Sequence, residues 1–391
     1  MKEDFFAYQA QTSLHPLSME VSRAMGSYIY DSQGGAHLDF VAGVSACNLG
    51  HCHPKVVRAV QEQAAKYMHV MVYGEYILPP AVALAKKLAS LLPAGLETTY
   101  LVNSGTEAVE GAMKLARRAT GRPGLLAARG AYHGNTTGSL SLMDYEARKA
   151  PFRPLMPGVG HIRFNEEADL ERIGKDTAAV VLETIQGSAG MVLPEKDFLK
   201  KVRDRCTKTG ALLILDEIQP GFGRTGTLFA FEHYDCIPDI LVMGKAMASG
   251  LPVGAFTAST ALMRQLSVAP ELGHITTFGG NPVIAAAALA TLEEISSGTI
   301  MQEVAAKEAR LRERLRHPLI REMRGNGLML ALMMESGEMA DRLILECARE
   351  GLILFWLLFE PRAVRISPPL TISMEEIDAG CDIILKVLKT F

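Results

Sequence analysis

No stretch of this sequence is apolar for long enough to cross a bilayer. The longest apolar run, Leu352 to Phe359, falls far short of the roughly 20 residues a spanning helix needs, and it reads as a buried strand of a terminal domain. The opening MKEDFFAYQA mixes acids with apolar residues and matches neither a secretory leader nor a basic transit peptide. Cysteine is scarce: Cys47, Cys52, Cys206, Cys236, Cys347 and Cys381 are scattered and form no disulfide framework. A reducing cytoplasm is the expected compartment. There is no run of Lys and Arg, and the formal net charge is −3. Both facts argue against a nucleic-acid or anionic-membrane partner. Neither internal repeats nor low-complexity linkers are found.

What is present is the composition of an ordinary globular protein, 48% hydrophobic and 21% charged over 391 residues. That length accommodates a large catalytic domain and a smaller one. The middle of the chain alternates short apolar runs with longer helical patterns, as βα units in a mostly parallel sheet should. Strands are expected at Thr98–Asn103, Ala179–Glu183, Ala211–Asp216 and Ile240–Gly244, the last two in a sheet covered on both faces. Helices are expected at Glu107–Thr120 and near Phe198–Lys208. Beyond about residue 280 the pattern turns helical, with an Ala-rich segment Val283–Ile295 and a charged amphipathic one at Gln302–Arg316. Ser373-Met-Glu-Glu376 has the form of a capping box opening a last helix. The expected division is an N-terminal segment, 1–45, joining a small domain, a large domain at 46–285, and the rest of the small domain at 286–391.

The chemistry should lie where polar residues directly follow buried strands, because ligands of open α/β sheets bind at that edge. Asp216 ends the run Leu212-Leu-Ile-Leu215, and a carboxylate there needs a cation or several donors. A protonated pyridine nitrogen would serve, and so would a lysine or arginine. Lys245 ends Ile240-Leu-Val-Met-Gly244. It is either a snorkelling side chain or an amine whose pKa is lowered by dry surroundings, free to attack an aldehyde. Between a strand and a helix lies Asn103-Ser104-Gly105-Thr106-Glu107. Its hydroxyls and free N–H groups suit a phosphate, and Ser104 equally suits a plain N-cap. Tyr132-His133-Gly134 could offer an aromatic face to a flat ring.

Together these fragments resemble the class III, or ω-amino-acid, branch of the fold-type-I aminotransferases, the family of acetylornithine, ornithine and 4-aminobutyrate aminotransferases. The similarity runs from Gly26-Ser-Tyr-Ile-Tyr-Asp31 to Arg365-Ile-Ser-Pro-Pro-Leu370. Its specific part is Leu215-Asp-Glu-Ile-Gln-Pro-Gly-Phe-Gly-Arg-Thr-Gly226, then Gly244-Lys-Ala-Met-Ala-Ser-Gly-Leu-Pro-Val-Gly254, then Thr276-Thr-Phe-Gly-Gly-Asn-Pro282. The resemblance implies an α/β fold with a mostly parallel, seven-stranded central sheet, helices on both faces, and a smaller α+β domain from both chain ends. It also implies pyridoxal 5′-phosphate bound as a Schiff base on Lys245, which would shuttle the proton. Asp216 would pair with the pyridine nitrogen, Ile218 and Tyr132 would cover the ring faces, and Gln219 would reach the phenolic oxygen. Ser104, Gly105 and Thr106 would hold the phosphate, helped by Thr277 of a neighbouring subunit, so a homodimer is expected. His133 and Glu183 fall among the cofactor-binding residues. An amino donor and a 2-oxo acid are the implied partners, with acetylornithine- or ornithine-type transfer to 2-oxoglutarate as the expected activity.

Two departures bear on the substrate. The segment Glu183-Thr-Ile-Gln-Gly-Ser188 usually ends in glutamate, which can mask the arginine matching Arg365. Ser188 cannot neutralise a cation, so Arg365 should stay open as a carboxylate clamp. Asn135 stands where the named enzymes usually carry an arginine for a further carboxylate. This keeps 4-aminobutyrate or other ω-amine donors, and pyruvate as acceptor, in contention. Further rivals are an aminomutase, although Phe278-Gly-Gly-Asn-Pro282 departs from the Leu-Ser-Gly-Asn-Pro expected of one, a decarboxylase, and a binding protein without turnover. Gly221-Phe-Gly223-Arg-Thr-Gly226 matches the dinucleotide fingerprint, but an acidic pair and Ile-Gln-Pro separate it from its strand and no helix start follows. His51-Cys52-His53 looks like a metal cluster, yet adjacent side chains rarely converge on one ion, and a structural turn is expected.

Overall fold

The computed structural model describes residues 1–195 and 197–391. Its centre is a seven-stranded sheet in the spatial order Thr98–Val102, Gly254–Ala258, Ile240–Gly244, Leu212–Asp216, Thr177–Glu183, Gly124–Ala128 and Val159–Ile162. Gly254–Ala258 runs antiparallel to both neighbours, and the other pairings are parallel. Thr177–Glu183 and Ile240–Gly244 are buried at every position. That explains why they read as unbroken apolar runs rather than alternating ones. Apolar clusters lie on the two faces of the sheet: Leu182, Leu213, Leu215 and Leu241 belong to one, and Val181, Ile214, Ile240 and Val242 to the other.

The register brings the chemistry to one edge. Glu183 pairs with Asp216, Asp216 with Val242, and Gly244 with Gly254, which in turn meets Val102. Glu183, Asp216, Lys245 and the 103–107 turn therefore emerge side by side. Glycine at 254 is required for this, since a Cβ there would lie 2.0 Å from the Ser104 carbonyl oxygen. The helix after that turn is Gly105–Thr120, beginning two residues earlier than expected. Ser104 Oγ accepts from Glu107 N at 3.3 Å, and Gly121 ends the helix in the left-handed region.

The chain ends build a second core. Leu38 and Phe40 pack with residues from Val304 to Leu388, and Ala36–Asp39 lies beside Leu352–Ile353 in a four-stranded sheet. The helix Pro282–Ser296 still contributes Ala285, Leu292 and Ile295 to the large core, so the core changes after Ser296. The next helix is Thr299–Arg314, and the capping box at Ser373 opens the helix Met374–Leu388.

One expectation fails. Leu352 to Phe359 is not a single buried strand. It breaks into Leu352–Ile353, parallel to Ala36–Asp39, and Phe355–Trp356, antiparallel to Ala363–Ile366 in another sheet. Phe355 and Leu358 are exposed. An all-apolar run carries no periodicity, so nothing in its pattern marks where it changes sheets.

Candidate active site

A cavity of about 300 Å³ opens at the shared strand edge, lined by Lys245, Asp216, Tyr132 and Thr106 among others. Lys245 follows its strand directly and has φ 45°, in the left-handed region that a side chain occupies at a cost. Burial pulls its amine below the ordinary lysine value, and the Arg365 charge adds to this. The negative charges of Asp216 and Glu183 oppose it. An amine so placed is more easily neutral, as a nucleophile or base must be.

Asp216 is fixed from two sides. Ile218 N donates to Oδ1 at 3.0 Å, and His133 Nδ1 lies 2.8 Å from Oδ2. Burial works against a charge on His133, but the hydrogen bond to Asp216 and the charges of Asp216 and Glu183 outweigh it and raise its pKa. Glu183 accepts from Tyr132 N and Gly187 N, both at 3.2 Å, and burial lifts its carboxyl to about 7. It thereby ties the Tyr132 loop to the sheet edge.

Of the residues singled out in the sequence, Gly105, Thr106, Tyr132, His133, Asn135, Glu183, Asp216, Ile218, Gln219 and Lys245 all line this cavity. Ser104 does not, and its hydroxyl caps the helix. Thr277 is also outside the lining and stands exposed. Its neighbour Thr276 is held by Gly279 N and Asn103 Nδ2. Arg365 comes from the strand Ala363–Ile366 of the second core and is 4% exposed. Its Nε and Nη1 have no hydrogen-bond partner among the described residues, and burial lowers its pKa to about 10. Ser188 is buried too, with its carbonyl accepting from Phe359 N at 3.0 Å. Asn135 donates to the Tyr132 hydroxyl at 3.2 Å.

Gly134 and Pro220 also line the cavity, although neither was given a role of its own. Both adjoin residues that were, and that adjacency was the available signal. The glycine-rich 221–226 segment lies in turns and is followed only by a short 3-10 helix, Ala230–Tyr234, and His51 is paired with Asp39 at 2.8 Å, which raises its pKa to about 10.

The sequence profile described as "Aminotransferase class-III" matches residues 8–388. The chain belongs to the class III aminotransferases. Among its relatives, an acetylornithine aminotransferase of Archaeoglobus fulgidus is 37% identical over 366 residues, covering 93% of this chain and 94% of that one. A putrescine aminotransferase of Pectobacterium atrosepticum is 39% identical over 386 residues, covering 94% and 81%. The crystal structure of an ornithine aminotransferase from Toxoplasma gondii superposes with a TM-score of 0.91 at 29% identity, covering all of this chain and 95% of that one.

This class III aminotransferase has the fold-type-I architecture and is a pyridoxal-phosphate-dependent transaminase. The cavity fits the cofactor on its own evidence. Gln219 Nε2 and His133 Nε2 are buried without hydrogen-bond partners among the described residues. Gly105 sits so close to Ile218 that a Cβ would lie 2.6 Å from its side chain, and it opens the helix, where first-turn N–H groups lack intrahelical partners.

Proposed function

We propose that this enzyme moves the terminal amino group of an acetylornithine- or ornithine-type donor to a 2-oxo acid, 2-oxoglutarate first, in two half-reactions. The relatives named acetylornithine aminotransferase support the donor class. The observation that carries the acceptor is the buried Arg365 guanidinium with two unpartnered donors. A buried cation of this kind is stabilised by a carboxylate that can take both N–H groups. Ser188 leaves that place to the substrate. For a second carboxylate, Asn135 brings no charge. Arg148 is the cation whose charge acts on the Tyr132 phenol, and it lies 5.9 Å over the Phe359 ring.

When bound, pyridoxal phosphate supplies an electrophilic carbon and a ring that draws electrons from the substrate's reacting carbon. Lys245 Nζ, buried and with its pKa lowered, would hold the cofactor and is the amine that would take up and return a proton at the substrate's reacting carbon. Asp216, held by Ile218 N and His133, would be the carboxylate that keeps the cofactor's pyridine nitrogen protonated. Tyr132 and Ile218 would confine the cofactor's ring, Gln219 Nε2 would donate to its phenolic oxygen, and Gly105 and Thr106 would hold its phosphate. Thr277, exposed here, serves the neighbouring subunit's phosphate in a homodimer. The scattered free cysteines, four of them buried, fit a reducing cytoplasm.

An ω-amine donor without a carboxylate is the second reading. It is favoured by the uncharged Asn135 and by the putrescine aminotransferase relative. One experiment separates them. The purified enzyme should absorb near 410–430 nm, roughly where lysine-bound cofactor does, and acetylornithine or ornithine should bleach the band. Bleaching by putrescine alone would select the second reading. A protein that shows no band after incubation with pyridoxal phosphate would refute the Lys245 assignment.

A further inference from the structure

The segment that mimics a dinucleotide fingerprint carries Arg224, the largest fully buried side chain of the protein. Its guanidinium meets only neutral oxygens. Nη1 is forked between the carbonyls of Leu328, at 3.0 Å, and Pro368, and Nη2 meets Asn48 Oδ1. Asn48 in turn donates to Phe222 O at 2.7 Å. Leu328 and Pro368 are not arbitrary acceptors. Strands Met329–Met334 and Ala363–Ile366 are antiparallel, with Ala331 opposite Arg365 and Leu330 opposite Ile366. Two residues further along, that register sets Leu328 across from Pro368. Arg224 thus closes the end of the ladder on which Arg365 stands, and Leu328 N returns to Arg224 O at 2.9 Å.

We propose that Arg224 is a positioning residue for carboxylate recognition: it pins the Arg365 ladder and keeps its own buried charge unspent beside it. A carboxylate at 48 would give Arg224 the ion pair that buried arginines usually have. Asparagine supplies the same oxygen without the charge, so two buried cations remain for an incoming anion. Burial lowers the Arg224 pKa to about 9; Cys47 opposes this, the Arg365 charge reinforces it and Asp39 opposes it, so the group stays charged at neutral pH. This role rests on Arg365 being the carboxylate site proposed above.

The test uses holoenzyme and glutarate, a dicarboxylate that cannot react, with its dissociation constant read by calorimetry. KM for 2-oxoglutarate is compared with KM for butyraldehyde, an acceptor without a carboxylate. Arg224→Lys keeps the charge but loses the fork. It should weaken glutarate about tenfold and raise the 2-oxoglutarate KM alike, as for the loss of about one charged hydrogen bond, while the aldehyde KM moves less than about twofold. A folded R224K enzyme with wild-type glutarate affinity overturns the proposal. Should R224K not fold, Asn48→Asp decides: it retains the oxygen facing Nη2 and compensates the charge, so glutarate should again weaken, and unchanged affinity overturns the proposal. Arg365→Gln is the control. If it leaves glutarate affinity unchanged, the carboxylate site itself is misplaced. If it abolishes binding while the Arg224 and Asn48 variants bind normally, only the role of Arg224 fails.

Discussion

Asp216 and Arg365 are equally deep in the protein, at 3% and 4% exposure, yet their surroundings are opposite. Asp216 has a histidine on one oxygen and a backbone amide on the other. Arg365 has buried donors that meet nothing. A buried charge is costly in proportion to what it fails to find. The Asp216 carboxylate is therefore held before any ligand arrives, while the open His133 Nε2 and Gln219 Nε2 beside it suit a resident group. The Arg365 side is unfinished and suited to a visitor that brings its own negative charge and leaves again. Asp216 lines the cavity and belongs to the paired half built by the large core, whereas Arg365 is outside that lining and belongs to an unpaired half built by the chain ends.

The largest effect should come from the paired half. If Lys245 is the tether and proton carrier proposed above, Lys245→Ala removes both, and kcat should fall by more than about 10³-fold, within the range for a lost proton-transfer group. Stopped-flow absorbance with the best donor would measure this directly. If the variant kept turnover within tenfold of wild type, the finished half would not be where the chemistry occurs.

Next comes a change that would make the halves alike. Ser188→Glu offers Arg365 a permanent partner. KM for 2-oxoglutarate should rise about 10- to 100-fold, the equivalent of losing one charged hydrogen bond, and the variant should melt no lower than wild type. An unchanged KM would mean that Ser188 does not face Arg365, and the contrast between the halves would lose its functional meaning.

The paired half was also the legible one. Asp216, Lys245 and the 103–107 turn each follow an unbroken apolar run, and a polar residue at the end of such a run can be placed at the sheet edge without a structure. Their partners could not be read in the same way. His133 lies 83 positions from Asp216, and Arg224 meets Asn48 and Pro368 from opposite ends of the chain. Contacts between distant segments leave no periodic trace. Helix limits were blurred for a local reason: first and last turns are polar and exposed, so the charged segment expected at Gln302–Arg316 begins at Thr299 and ends at Arg314. The split of Leu352 to Phe359 between two sheets was hidden by uniform hydrophobicity.

The smallest expected effect concerns stability and lies just behind the paired half, at Glu217. Its carboxyl is fully buried, receiving Thr184 Oγ1 at 2.7 Å, Ala230 N at 2.9 Å and Phe231 N at 2.8 Å, so it fastens the turn after Phe229 beneath the sheet edge. Burial raises its pKa from 4.5 to about 7, although the three donors pull the other way. A group whose pKa is raised by folding binds its proton more tightly in the native state. Its contribution to stability is complete below the unfolded value and is lost as pH climbs through the folded one. Glu183 is lifted to about 7 in the same way, so the two act in the same window. The apoenzyme's Tm should therefore decline from about pH 4.5 to about pH 7. Glu217→Gln, which cannot ionise, should flatten that decline while lowering Tm at pH 6 by a few degrees, about what one weakened buried hydrogen bond costs a protein of this size. A slope as steep in E217Q as in wild type would assign the whole titration to Glu183 or to His133, inside the cavity.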